Sequence, residues 1–172
     1  MIKLKQVKAI ENGKGLQYLL DAAKRIFRNP ISITDMNYGL IAFTDDNTED
    51  PIWNGMTSTW AFSEKSRNFF AKKFFAEYIA NADKYTIFKS EEIKCSRIVG
   101  YIHNRENVKV GLVSMYEFFT PFDEEIHAAF ELFTAKISSE LRNGKHRIKL
   151  GSTFQEDMIN RLRYAERLKR YC

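Results

Sequence analysis

The side chains able to do chemistry are few and scattered. His103, His127 and His146 stand far apart, and none falls at a metal-ligand spacing from Cys95. The other cysteine, Cys172, is the last residue, so the pair forms no disulfide framework. Cys95 reads as a small buried strand residue in a protein of the reducing cytoplasm. Asp45, Asp46, Glu49 and Asp50 crowd one loop, a pattern more often solvated than catalytic. There is no glycine-rich phosphate loop, no Gly-x-Ser-x-Gly turn and no carboxylate pair set over a cleft. The sequence therefore points away from an enzyme and from a metal. It identifies no cofactor either, since haem would want a placed histidine and nothing marks a flavin or cyclic nucleotide.

Aromatic side chains are what the chain has in quantity: they make up 14% of its 172 residues, and fourteen are Phe. So many rings need a large core or a lined cavity. Ligand cavities are mostly apolar with a few convergent polar groups. Strand alternation and helix spacing nominate Phe43, Trp53, Trp60, Phe74, Tyr78, Tyr101 and Met115 as residues lining such a cavity. The same side chains would equally fill a core at ordinary density.

The elements that must position these residues can be read in order. Residues 1–12 are basic and weakly patterned, a strand or a frayed lead-in. Leu16, Leu19, Leu20, Ala23 and Phe27 trace one face of an amphipathic helix that Asn29-Pro30 ends. Ile31 and Ile33 alternate with Ser32 and Thr34, a turn follows over Asp35 to Gly39, and Leu40 to Phe43 is apolar, which together predict a β-hairpin. Trp53, Trp60 and Phe62 then mark a loop or short helix folded back on the sheet, because exposed rings forfeit about 2 kcal/mol each.

Ser63 is a plausible N-cap for a helix to about Asn81. Three strands follow, at Lys84 to Lys89, Cys95 to His103 and Val108 to Phe119, the last two forming a second hairpin across Asn104 to Asn107. Gly100 and Gly111 inside them mark a bulge or the close approach of another element. Thr120-Pro121-Phe122-Asp123 predicts a helix start with Thr120 as cap, and Phe122, Ile126, Ala129, Phe130, Phe133, Ile137 and Leu141 trace its face. A last helix begins at Ser152.

Net charge is +5 and lies in the tail. From Arg142 onward nine Lys and Arg face three acids, leaving the remainder near neutral with no broad basic face for DNA. No run reaches the roughly eighteen apolar residues of a membrane span, and the N-terminus lacks an apolar signal core.

Helix, two strands, helix, three strands and a long helix is the arrangement of an α+β, GAF/PAS-like (profilin-like) domain: a five-stranded antiparallel sheet with flanking helices and a C-terminal helical extension. The segments from Gly15 to Ile26 and from Asn29 to Thr44, with Asp50-Pro51-Ile52-Trp53 and Thr120-Pro121-Phe122-Asp123-Glu124-Glu125, resemble the N-terminal sensory region of PucR-like (purine catabolism regulator type) transcriptional regulators. The resemblance spans roughly residues 15 to 142.

It implies a non-enzymatic domain, residues 1–145, that senses a small molecule or mediates dimerisation, followed by a basic tail or linker, 146–172, toward an output domain. The chain ends at Cys172 without a helix-turn-helix, so direct DNA binding by it is not expected. The apolar faces of the terminal helices favour a homodimer. The alternative is a structural dimerisation module with a filled core and no ligand.

Overall fold

The computed structural model describes residues 1–68, 85–90 and 93–143. At its centre is a five-stranded antiparallel sheet: β1 (Ile31–Asp35), β2 (Leu40–Phe43), β3 (Tyr85–Ser90), β4 (Ile93–His103) and β5 (Lys109–Tyr116), ordered β2-β1-β5-β4-β3. Around it lie α1 (Ile2–Ala9), α2 (Leu16–Phe27), α3 (Pro51–Thr59) and α4 (Glu124–Asn143). This is the GAF/PAS-like α+β architecture that the order of elements predicts.

Strand alternation divides the sheet's side chains between two faces. On the first, Ile31 and Ile33 of β1, Ile98 and Ile102 of β4, and Val113 and Met115 of β5 are buried in one cluster with Leu19, Leu20, Ala23 and Phe27 of α2 and Ile126, Phe130, Phe133 and Ile137 of α4. The helical stripes read from the sequence are thus the buried ones. Phe27 and Phe133 meet edge to face, 5.9 Å apart. Gly100 lets α4 approach β4: a Cβ there would lie 2.8 Å from Thr134 Oγ1 and 2.9 Å from its Cγ2. At Gly111 a Cβ would lie 2.5 Å from the Thr34 carbonyl oxygen. Both glycines therefore mark close approaches.

Side chains fix the turns. Asp35 Oδ1 accepts from the amides of Asn37 and Gly39, each at 2.8 Å, closing the β1–β2 hairpin while Tyr38 takes a left-handed φ of 63°. Arg28, also left-handed, ends α2, and Asn29 beyond it is fully buried. The Asn29 side chain donates to the Thr120 carbonyl (2.7 Å) and accepts from the amides of Phe119 (2.9 Å) and Thr120 (3.0 Å). It ties the end of α2 to the β5–α4 connection.

Two expectations change. The N-terminus forms α1, because its Lys, Leu, Gln and Ala are good helix formers and Val7 and Ile10 bury into the first-face core. Asp123 rather than Thr120 caps the long helix: its Oδ1 accepts from the Ile126 amide at 2.7 Å, while Thr120 is engaged with Asn29. Residues 64–68 open a helix behind Ser63, whose Oγ accepts from the Ser66 amide at 3.2 Å. The continuation to Asn81 and the helix from Ser152 lie outside the described residues.

Candidate functional site

The second face of the sheet differs from the first in carrying polar groups at its centre. Register places Ser32 of β1 beside Ser114 of β5, Ser114 beside Val99 of β4, and Val99 beside Thr86 of β3. A row containing three hydroxyls therefore crosses four strands. Thr34 lies two residues along β1 on the same face, and Arg97 two residues before Val99 on β4. Ser32, Thr34, Thr86, Arg97 and Ser114 are all buried, with exposures of 3% or less.

Arg97 Nη2 donates to Ser114 Oγ at 2.9 Å. Its guanidinium stacks over the rings of Tyr116 (4.8 Å to the centroid) and Phe62 (5.1 Å). The hydroxyls of Ser32, Thr34 and Thr86 have no hydrogen-bond partner among the described residues. Ser32 Oγ lies near the Tyr116 hydroxyl without bonding geometry to it, and Tyr116 donates instead to Met56 Sδ at 3.9 Å. A buried hydroxyl left unpaired costs about 1–3 kcal/mol, so three on one face call for an explanation.

Aromatic side chains surround this floor. Asp50 caps α3, with Oδ1 accepting from the Trp53 amide at 2.7 Å, and Pro51 occupies the first turn. The helix so anchored buries Trp53 and Met56 with Leu40, Phe62, Cys95 and Tyr116. Trp53 meets Tyr116 edge to face at 5.1 Å. Tyr38 packs its edge on Phe62 at 6.1 Å and joins Phe88, Val99, Tyr101 and Leu112. Burial pushes the phenols of Tyr38 and Tyr116 up, against a smaller downward pull from Arg97. It pushes the Cys95 thiol up to about 11, so this cysteine is a poor nucleophile at neutral pH.

A groove of about 610 Å³ opens beside this cluster, lined by residues 47–51, Cys95 and residues 117–119. Two of its carboxylates are committed to backbone amides: Asp50 to Trp53, and Glu117 Oε1 to Phe122 at 2.6 Å. No group of three or more His, Cys, Asp or Glu able to hold a metal occurs among the described residues.

Of the residues nominated from the sequence, Phe43, Trp53 and Trp60 come together, with Phe43 edge-on to Trp53 at 6.3 Å and to Trp60 at 5.2 Å. Tyr101 lies farther along the same face. Met115 belongs to the first-face core, opposite in alternation to Ser114 and Tyr116. Phe74 and Tyr78 lie outside the described residues. Sequence reasoning missed Arg97, Ser32, Thr34, Ser114 and Thr86. Their signal was present in the Ile-Ser-Ile-Thr alternation of β1, which reads as apolar against wet until the fold makes β1 an interior strand covered on both sides.

No helix of the described residues is long and apolar enough to cross a membrane. No protein-family model matches the chain, and no curated protein matches it. Among solved structures it is similar to a protein of Rhodococcus sp. RHA1 assigned as a transcriptional regulator, with a TM-score of 0.52 and 8% identity over 81% of this chain and 72% of that one. The C-terminal domain of the E. coli transcriptional regulator KdgR aligns with a TM-score of 0.46 and 13% identity, over 82% of this chain and 99% of that domain. At such identities what is shared with the Rhodococcus protein is the fold, an open α+β sheet with flanking helices.

Proposed function

We propose that this chain is the small-molecule-sensing domain of a transcriptional regulator, cytoplasmic and without catalytic activity of its own. The observation that carries this is the polar floor on the second sheet face: buried hydroxyls beside a buried guanidinium under an aromatic cover. Three unpaired hydroxyls gathered on one sheet face are costly in a filled structural core, whereas a ligand site needs convergent polar groups within apolar walls. The GAF/PAS-like fold and the assignment of the similar Rhodococcus protein as a transcriptional regulator support the regulatory context.

In this proposal residues 1–145 form the sensor and 146–172 lead toward an output element, with no direct DNA contact from this chain. The domain works as a homodimer paired through its terminal helices. A ligand on the floor touches β1, β4 and β5, and the Asn29 clamp ties the start of β1 to the connection that leads from β5 into α4. Occupancy acts by binding one arrangement of β5 and α4 better than another, which biases how the helices pair.

Native mass spectrometry of the purified full chain tests this. The expected result is a dimer carrying extra mass that leaves on denaturation. A bare dimer would favour a structural dimerisation module with a filled core, and a monomer at micromolar concentration would defeat the pairing.

A further inference from the structure

The groove beside the aromatic cluster carries charge of one sign. Glu49, Asp50 and Glu117 line it together with Phe118 and Phe119, and no lysine or arginine of the described residues does. None of the three carboxylates forms an ion pair with a described residue. One oxygen each of Asp50 and Glu117 accepts from a backbone amide, a neutral partner that leaves the negative charge in place. The field reaches Cys95, the buried residue of the lining: Asp50 and Glu117 add to burial in pushing its thiol up, against a pull from Arg97. Beside the acids stands Phe119, 57% exposed and edge-on to Phe118 at 6.4 Å. A ring left in water forfeits about 2 kcal/mol, so this corner calls for a cover that brings both carbon and positive charge.

The chain carries such a cover itself. Residues 161–172 hold Arg161, Arg163, Arg167, Lys169 and Arg170 against one acid, Glu166, with Leu162, Tyr164, Leu168 and Tyr171 among them. Arginine suits both parts of the groove, since its guanidinium pairs with carboxylates and packs flat on rings. Reach permits the contact. α4 starts close to the groove, just beyond the Phe122 amide that Glu117 holds, and its 20 residues carry the chain about 30 Å away. Residues 144–160 can span about 55 Å if extended, enough to return.

We propose that residues 161–172 dock on the groove of their own domain, with cations against Glu49, Asp50 and Glu117 and apolar side chains against Phe119. The inference goes beyond the sensing role and does not rest on it. A tail seated on its own domain is withheld from pairing with a second copy, so docking and pairing through the tail compete.

Cys172 supplies the probe. A nitroxide attached to it in the full chain marks the end of the tail, while Cys95, buried and with its thiol pushed up, stays unlabelled. Paramagnetic broadening of the backbone amide signals is then read by NMR. The expected result at low salt is broadening concentrated at residues 47–50 and 117–119, lost at 1 M salt, where the screening length is about 3 Å. Glu49→Lys and Phe119→Ser, both at exposed positions, are each expected to keep the melting temperature and to reduce the broadening by about threefold. A second sample, in which isotope-labelled chain without nitroxide is mixed with unlabelled chain carrying it, should show no broadening at the groove.

No broadening at the groove, or broadening there that neither substitution moves, would overturn the docking. Broadening reduced by Glu49→Lys and untouched by Phe119→Ser would mean diffuse attraction between charges and would overturn a seated contact. Broadening in the mixed sample would put the tail of a second copy in the groove and overturn docking within one chain.

Discussion

The side-chain amide of Asn29 and the carbonyl of Thr120, 91 residues apart in sequence, are joined by a 2.7 Å hydrogen bond inside the protein. The same side chain accepts from two amides of the β5–α4 connection, so one buried residue satisfies three backbone groups of a partly exposed loop. Asn29→Ala removes all three bonds and strands their partners, and should cost about 3 kcal/mol. Asn29→Asp keeps the acceptor and loses the donor, and should fall between the two. Urea unfolding of the three proteins checks the order.

Gly100 predicts a second effect. A Cβ at this position meets Thr134 within 3 Å and the Phe130 ring at 3.3 Å, and a β-branched threonine has little freedom to move aside. Gly100→Ala should destabilise by roughly 1–3 kcal/mol. Thr134→Ala in the same chain should restore much of that loss. A double-mutant cycle measures the coupling, and strictly additive effects would count against the close approach of α4 and β4.

Glu140, on the last turns of α4, accepts from the amides of Gly13 and Gly15, the latter at 2.8 Å. With Lys136 Nζ on the Ile10 carbonyl at 2.8 Å, it holds the α1–α2 connection against the long helix. Glu140→Ala should release that connection. Limited proteolysis should then cut near residues 11–15 sooner than in the parent, with the sheet core intact and global stability lowered by about 2 kcal/mol.

Alkaline pH should weaken the fold through its buried acids. Burial raises Cys95 from an ordinary 9.0 to about 11, and raises Tyr101 and Tyr116 above their ordinary 10.0. The folded state therefore binds more protons than the unfolded state above about pH 9. Stability contributed by these neutral groups is present below that pH and declines as pH rises through the folded values. Thermal melts should show a falling transition temperature from about pH 9 upward. Cys95→Ala should flatten the early part of the fall, and iodoacetamide labelling of Cys95 at pH 8 should be slow until the protein unfolds.

Much of this architecture was legible because its signals are local. The Ile31/Ile33 alternation, the Asp35 to Gly39 turn and the Ile126 to Ile137 stripe each report their own element. α1 was not legible, since its burial rests on Val7 and Ile10 alone and comes from tertiary packing on α4. The cap at Asp123 was misplaced for a related reason: Thr120 has cap chemistry, but Asn29 takes its amide from ninety residues away. The polar floor was least legible. Ser32 and Thr34 look solvent-facing in a hairpin read by itself, and only the neighbouring β5, with Ser114 in register, turns them inward. The aromatic part of the site could be named in advance because large rings seldom stay wet. Its polar part could not, because a serine looks the same in sequence at a surface and at a ligand.

The most direct single measurement is a crystal structure of the full chain purified without exchange of its bound contents, inspected over Ser32, Ser114 and Arg97. The proposed role predicts density too large for water within hydrogen-bond distance of the Arg97 guanidinium and the Ser32 hydroxyl, with a body reaching toward Phe62. Side chains packed directly onto the floor, with those hydroxyls paired to protein groups and no space between, would contradict it.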